Sequence, residues 1–232
     1  FLMKSICLIP ARGGSKRIPR KNIKFFHGKP LIAWSIEAAQ SSKIFDAIYV
    51  STDDDEIADI AKKYGAIIPF IRPKHLSNDY ANDKEVRDHF IEWMNSNQIK
   101  ADALCYLYPT APFINEETLL GCKKLLLQSS ASSTHTVTTY AYPVLRSLKE
   151  GKNGLLSYMW EEYANCRSQD LPELIHDAGQ CYFFDLKKYG EDEKRVGYRI
   201  PRIYCQDIDT LEDFEIAEKL FAIHISENKK YA

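Results

Sequence analysis

"SICLIPARGGSKRIPRKNI", residues 5–23, joins an apolar, β-rich run to a loop with five cations, two adjacent glycines and no acid. The stretch after it, "LIAWSIEAAQSS" at 31–42, has helical period. Strand, loop and helix then recur. "AIYVS" (47–51) precedes "EIADIAKKYG" (56–65), "AIIPFI" (66–71) precedes "EVRDHFIEWMNS" (85–96), and "ALCYLY" (103–108) precedes "EETLLGCKKLLLQ" (116–128). This repetition predicts an α/β protein with a mostly parallel sheet covered by helices on both faces. Gly65 is placed to end the second helix, and Asn115 with two acids after it to begin the fourth.

Between 137 and 178 the rhythm fails. Turn signals stand at Lys152, Asn153 and Gly154, and the aromatic residues form no helical stripe, so an inserted hairpin or small lobe is expected there. Regular patterning returns with "QCYFFDL" (180–186) and "GYRIPRIYC" (197–205). A closing helix follows from Thr210, with Asp213 three residues on as its capping partner. A single domain over 3–232 is the expected organisation.

The 232 residues carry a net charge of -1, which hides an asymmetry. No acid precedes Glu37, whereas Lys4, Arg12, Lys16, Arg17, Arg20, Lys21, Lys24 and Lys29 all do. A local cationic patch of this kind suits a compact anion better than a long nucleic acid. The six cysteines show no CxxC spacing and mostly lie in apolar runs, which argues for reduced buried thiols over zinc or disulfides. No apolar run reaches the roughly 20 residues of a membrane span. A signal-like hydrophobic stretch is also missing from the start, where Met3 reads as the native first residue, so a cytoplasmic protein without membrane partners is expected.

In an open α/β sheet, ligands bind beyond the carboxyl ends of the strands, and "ARGGSKRIPRKN" occupies the first such loop. Gly13 and Gly14 are able to take positive φ and turn backbone N–H groups toward an anion. Arg12, Lys16 and Lys21 would neutralise phosphate, with Ser15 and Asn22 as neutral donors. The spacing matches neither GxxxxGK[ST] nor GxGxxG, so the common ATP and dinucleotide motifs lose their support.

Far along the chain, Asp207 and Asp209 stand two apart and point to one face if the segment is extended. They suit Mg²⁺, which takes one or two protein carboxylates and completes its shell with water and phosphate oxygens. Alternatively they only shape the turn before the last helix. The acids at 53–56 read as helix-start residues. Tyr106, Tyr108, Tyr182, Phe183 and Phe184 are either plain core or the wall of a pocket for acyl and methyl groups, with Tyr108 and Tyr182 favoured for the pocket. His176 and Asp177 read either as an acid-base or orienting pair or as a surface feature at a lobe junction.

"IPARGGSKRIPRKNI" (9–23) and "DIDTLEDF" (207–214) together resemble the signatures of the acylneuraminate cytidylyltransferases, which make CMP-activated nine-carbon acidic sugars. The resemblance continues through "DAIYVSTDDDEIADIAKKYGA" (46–66), "IRPKHLSNDYA" (71–81), "LYPTAPF" (107–113) and "RSQDLPELIHDAG" (167–179), in order over nearly the whole chain. It implies a Rossmann-like nucleotidyltransferase fold, a dimerisation lobe at 137–178, and the reaction of CTP with a nonulosonic acid to give a CMP-sugar and pyrophosphate, with Mg²⁺. By residue it implies CTP contacts from Arg12, Gly13, Gly14, Ser15, Lys16, Lys21, Asn22 and Arg72. Asp207 and Asp209 become metal ligands, and Arg12, Lys21 and Asp209 carry the catalytic charge stabilisation.

Where the family commonly has serine or threonine, this chain has Asn82 and Asp83. Asp83 is expected either to meet the cytosine amino group or to cap the following helix. Tyr108, Thr110, Ser168, Gln169, His176, Asp177 and Tyr182 fall in the sugar-facing segments. Tyr108, Ser168 and Ala178 replace the residues of sialic acid enzymes and match the pseudaminate-like pattern "RSQDL…HDAG". Sialic and legionaminic acids remain alternative substrates, and a non-catalytic anion- or nucleic-acid-binding module is the alternative of a different class.

Overall fold

The computed structural model describes residues 3–191 and 194–230. In chain order its strands are β1 (Ser5–Pro10), β2 (Phe25–Phe26), β3 (Lys29–Pro30), β4 (Ala47–Ser51), β5 (Ala103–Leu107), β6 (Ser133–Thr139), β7 (Leu148–Glu150), β8 (Leu156–Tyr158), β9 (Ile175–Asp185) and β10 (Arg195–Arg199). The α-helices are α1 (Leu31–Ser41), α2 (Asp55–Lys63), α3 (Asp83–Ser96), α4 (Glu116–Gln128) and α5 (Leu211–Lys230).

A six-stranded sheet runs in the order β10-β6-β9-β5-β1-β4. β9 lies antiparallel to both β5 and β6, and the other pairings are parallel. Burial follows the alternation of side chains along each strand. Cys7, Ile9, Cys105, Leu107, Cys181 and Phe183 face α1, α2 and α4. Ile6, Leu8, Leu104 and Tyr106 turn to the other face, against Phe90 and Met94 of α3. Phe183 is therefore core, while Tyr106, Tyr108, Tyr182 and Phe184 share the α3 side. A third cluster packs Phe214, Ala217 and Phe221 of α5 on Ile18, Phe26, Leu31 and Ile208, which ties the end of the chain to the loop after β1.

Local signals set the helix ends. Gly65, at φ +88, terminates α2, and a Cβ there would meet Gln40 at 2.4 Å. Asn115 caps α4 through Thr118 N. Thr210 and Asp213 exchange hydrogen bonds at the start of α5, as the sequence implies. "AIIPFI" departs from expectation: Pro69 interrupts it, and only isolated bridges at Ile67 and Ile71 join it to the sheet edge.

Residues 140–174 leave the sheet and carry the β7–β8 hairpin. Both ends of the expected 137–178 insert belong to the main sheet, because 137–139 continue β6 and 175–178 open β9. All six cysteines are unpaired. Among the described residues no helix is long and apolar enough to cross a membrane.

Candidate active site

The loop after β1 and the segment before α5 meet at the carboxyl end of the sheet. Lys21 Nζ donates to the Ile208 carbonyl at 2.6 Å and to Asp209 at 3.3 Å, and Arg17 Nη2 reaches Asp209 at 2.8 Å. Ile208 is fully buried between the two aspartates. An alternating backbone then sends both flanking carboxylates away from the core. Partial desolvation, with Asp209 next as a like charge, holds the Asp207 carboxyl above its ordinary value.

Asp209 lines a cleft with Lys21 beside it, and Asp207, which does not line that cleft, is close enough for the two charges to interact; hard oxygen ligands of this kind fit Mg²⁺. No cluster of three or more His, Cys, Asp or Glu side chains suited to a metal occurs among the described residues. An ion here would therefore draw the rest of its shell from water and substrate.

All five cations of the loop have carboxylate partners from distant segments. Arg12 and Lys16 hold Asp79, Arg17 and Lys21 hold Asp209, and Arg20 holds Asp54 and Glu56. The acid-free sequence is thus neutralised in three dimensions. Hydrogen bonds from Lys16 and Arg12 hold the Asp79 carboxyl below its usual range, and a hydrogen bond from Arg20 does the same for Asp54. Exposed pairs of this kind are worth little individually, so a triphosphate is able to take over these cations at small cost.

The glycine pair works differently from the expectation. Neither glycine is among the positive-φ residues. Gly13 N–H is occupied by Asp53 Oδ1 at 2.9 Å, so it is not free for an anion. Glycine is required at 13 for space, since a Cβ would lie 2.8 Å from Asp54 Oδ2, whereas Gly14 has nothing within 4 Å. Asp54 caps α2 through Ile57 N, and Asn22 donates to the Arg12 carbonyl at 2.9 Å. Both brace the loop.

A cavity of about 310 Å³ opens above these groups, lined by Arg12, Ser15, Arg17, Lys21, Asn22, Arg72, Asp79, Asp83, Tyr108, Thr110 and Asp209 among others. Arg72 is its most telling side chain. It is only 4% exposed, and among the described residues its Nε and Nη2 meet no acceptor. Burial pushes the guanidinium below its usual pKa. A buried cation with orphaned donors on a cavity wall is costly unless a ligand supplies the acceptors.

A second cavity, of about 320 Å³, adjoins the first and shares Asp83, Tyr106 and Tyr108 with it. Its wall combines the rings of Tyr182, Phe184 and Tyr189 with His135, Asp177 and the cations Lys84, Arg87, Lys188 and Arg195. Tyr182 donates to Asp177 Oδ1 at 2.9 Å and meets the Tyr108 ring edge-on at 5.6 Å. Arg87 lies 4.1 Å from the Phe184 ring centre and donates to the Tyr189 hydroxyl at 2.8 Å. Its helical position gave no sign of this role.

Other residues fall elsewhere than the sequence implied. Thr110 lines the first cavity, not the second. Ser168 and Gln169 lie on a separate groove within the insert, because the 140–174 excursion carries them away from Tyr182. His176 packs on Tyr140 at 4.6 Å and bonds the Asp177 carbonyl, so it is not joined to the Asp177 carboxylate. Asn82 is the α3 cap, in a reciprocal pair with Glu85, and lines neither cavity. Asp83 follows it as the first helical residue and accepts from the Tyr106 hydroxyl at 2.9 Å and from the Tyr108 hydroxyl.

A pseudaminic acid cytidylyltransferase of Campylobacter jejuni is 41% identical over 96% of this chain and 98% of its own length. An N-acylneuraminate cytidylyltransferase B of Danio rerio is 31% identical over 91% of this chain and 50% of its own. The solved structure of a CMP:2-keto-3-deoxy-manno-octonic acid synthetase complexed with CTP superposes with a TM-score of 0.66 at 19% identity, covering 95% of this chain and 99% of that one. It shares the nucleotidyltransferase fold. The cytidylyltransferase family model matches residues 6–231, and with cations of the basic loop, Arg72 and Asp209 lining one cleft, the chain belongs to the cytidylyltransferase family.

Proposed function

We propose that this protein activates a nonulosonic acid, pseudaminic acid foremost, by transferring CMP to it from CTP with release of pyrophosphate. The observation that carries the reading is the pair of adjoining cavities with a common wall, one holding the loop cations and Arg72, the other lined by aromatic rings and further cations. A nucleotide triphosphate fits the first. A sugar bearing acyl and methyl groups fits the second, where rings offer apolar contact and Asp177 and His135 offer hydrogen bonds.

The anomeric hydroxyl of the sugar attacks the α-phosphorus of CTP; the new sugar O–P bond forms as the bond from the α-phosphorus to the bridging oxygen breaks, pyrophosphate departs, and the hydroxyl proton passes to solvent. No side-chain nucleophile takes part. Arg12, Lys16 and Lys21 exchange their carboxylate partners for phosphate oxygens and stabilise the charge that grows on the leaving group. Arg72 gains acceptors from the nucleotide. Asp207 and Asp209 would hold Mg²⁺, which supplies charge neutralisation at the phosphates. Positioning and electrostatics together carry the rate. A dimer formed through the 140–174 excursion and a cytoplasmic location are part of this proposal.

The deciding experiment measures pyrophosphate release from CTP with purified pseudaminic, legionaminic and sialic acids in turn. Fastest turnover with pseudaminic acid is expected. A preference for another of the three reassigns the sugar, and silence with all three overturns the function.

A further inference from the structure

Asp83 is a carboxylate whose two oxygens both serve tyrosines. The helix start does not need it, because Asn82 accepts from Glu85 N and Glu85 accepts from Asn82 N, completing the cap without it. Its Oδ1 takes the Tyr106 hydroxyl at 2.9 Å and its Oδ2 takes the Tyr108 hydroxyl. The two tyrosines stand two apart at the end of β5 and so share a face. Burial first, and the Asp83 charge next, raise both phenols above their ordinary values. They stay protonated at neutral pH and act as donors, and an ionised carboxylate accepts only, so the direction of both bonds is settled.

The arrangement sits on the wall common to both cavities. Tyr106 is fully buried, and through Asp83 it anchors the more accessible Tyr108. Tyr108 in turn meets Tyr182, whose hydroxyl is held by Asp177. One continuous chain, Tyr106 to Asp83 to Tyr108 to Tyr182 to Asp177, thus shapes one side of the aromatic cavity.

We propose that Asp83 is a positioning and specificity-determining residue, which clamps the Tyr108 ring between the two cavities and so sets the sugar that is accepted. The inference rests on the functional reading above, in which the aromatic cavity receives the sugar. With each of its oxygens held by a tyrosine hydroxyl, Asp83 is anchored on the shared wall and acts on the sugar through Tyr108.

The test compares steady-state kinetics of the wild type, Asp83→Ala, Tyr108→Phe and the double variant, with thermal unfolding as a check on folding. Asp83→Ala and Tyr108→Phe are each expected to raise the sugar KM about tenfold or more, since each breaks a hydrogen bond to a charged acceptor. The KM for CTP should stay within about twofold. The double variant should be no worse than the more damaged single one, because both substitutions break one link. The ratio of kcat/KM between two nonulosonic acids should move as well, which a merely structural role would not cause. A rise in the CTP KM with the sugar KM unchanged overturns the proposal, as do effects that multiply in the double variant. A wild type inactive with every nonulosonic acid overturns the functional reading and this proposal together. Normal wild-type turnover with an unchanged sugar KM in Asp83→Ala removes only the role of Asp83.

Discussion

Lys21 reaches across 187 residues of sequence to place its ammonium 2.6 Å from the Ile208 carbonyl oxygen and 3.3 Å from Asp209. This contact closes the cleft in which a triphosphate would lie. Asp209→Ala removes a proposed ion ligand and frees both Lys21 and Arg17, so turnover should fall by at least about two orders of magnitude, as for loss of a principal charge stabiliser. Pyrophosphate release measures it. Near-normal kcat in Asp209→Ala would remove the aspartate from the mechanism. Chelation of divalent ions should silence the wild type, with recovery on adding Mg²⁺.

The orphaned donors of Arg72 make a prediction in which stability and binding part company. Replacing Arg72 with methionine keeps much of its length and removes a desolvated charge that lacks acceptors. The unfolding midpoint without nucleotide should hold or rise. CTP should then bind about tenfold or more weakly, by loss of charge-assisted hydrogen bonds. The thermal upshift that CTP gives the wild type should shrink accordingly. A large drop in stability with unchanged CTP affinity would show that Arg72 serves the fold alone.

The βα alternation and the caps at Asn115 and Thr210 were legible because they depend on period and on nearest neighbours. The functional loop was legible as an excess of positive charge, but its partners were not. Which acid neutralises which cation depends on where the fold brings Asp79, Asp54 and Asp209, and no local spacing encodes that. Gly13 was correctly singled out for a reason that differs from the physical one, since its need is for room beside Asp54. Arg87 and Asp83 went unread in their present roles because their partners Tyr189, Tyr106 and Tyr108 lie on other elements.

Gly13→Ala tests that steric reading. An added Cβ would stand 2.8 Å from Asp54 Oδ2 and 3.0 Å from Asp54 Cβ, so the loop or the α2 cap must shift. Stability should fall by about 1–3 kcal/mol, as for overpacking elsewhere, and CTP affinity should fall with it. Gly14→Ala meets nothing within 4 Å and serves as the comparison, with a much smaller loss of stability. Equal losses from the two substitutions would refute the assignment.

Asp54 gives the acid side of the stability profile. The hydrogen bond from Arg20 lowers its folded-state pKa below the ordinary 3.8. A depressed carboxylate contributes stability that is present above the unfolded pKa and lost as pH falls through the folded one. Asp54→Asn keeps a capping oxygen while removing the charge, so it should destabilise the protein at pH 7. The gap between wild type and variant should close as pH falls below about 4. Denaturant titrations at pH 7, 5 and 3 measure it, and a gap that stays constant or widens toward acid would contradict the coupling.

The hairpin of the 140–174 excursion presents apolar side chains to solvent: Leu155 is 74% exposed, Leu156 64% and Leu148 52%. Single exposed apolar residues are ordinary, but several gathered on one short projection suggest a partner surface. A second copy of this chain is the proposed occupant, and a dimer across a twofold axis would let each excursion cover the other. Light scattering and sedimentation should give a mass near twice 26.7 kDa. The double substitution Leu155→Asp, Leu156→Asp should shift the population toward monomer without loss of secondary structure, since neither side chain enters the core clusters. A wild type that stays monomeric at tens of micromolar would remove the dimer from the proposal, and the exposed leucines would then need another explanation.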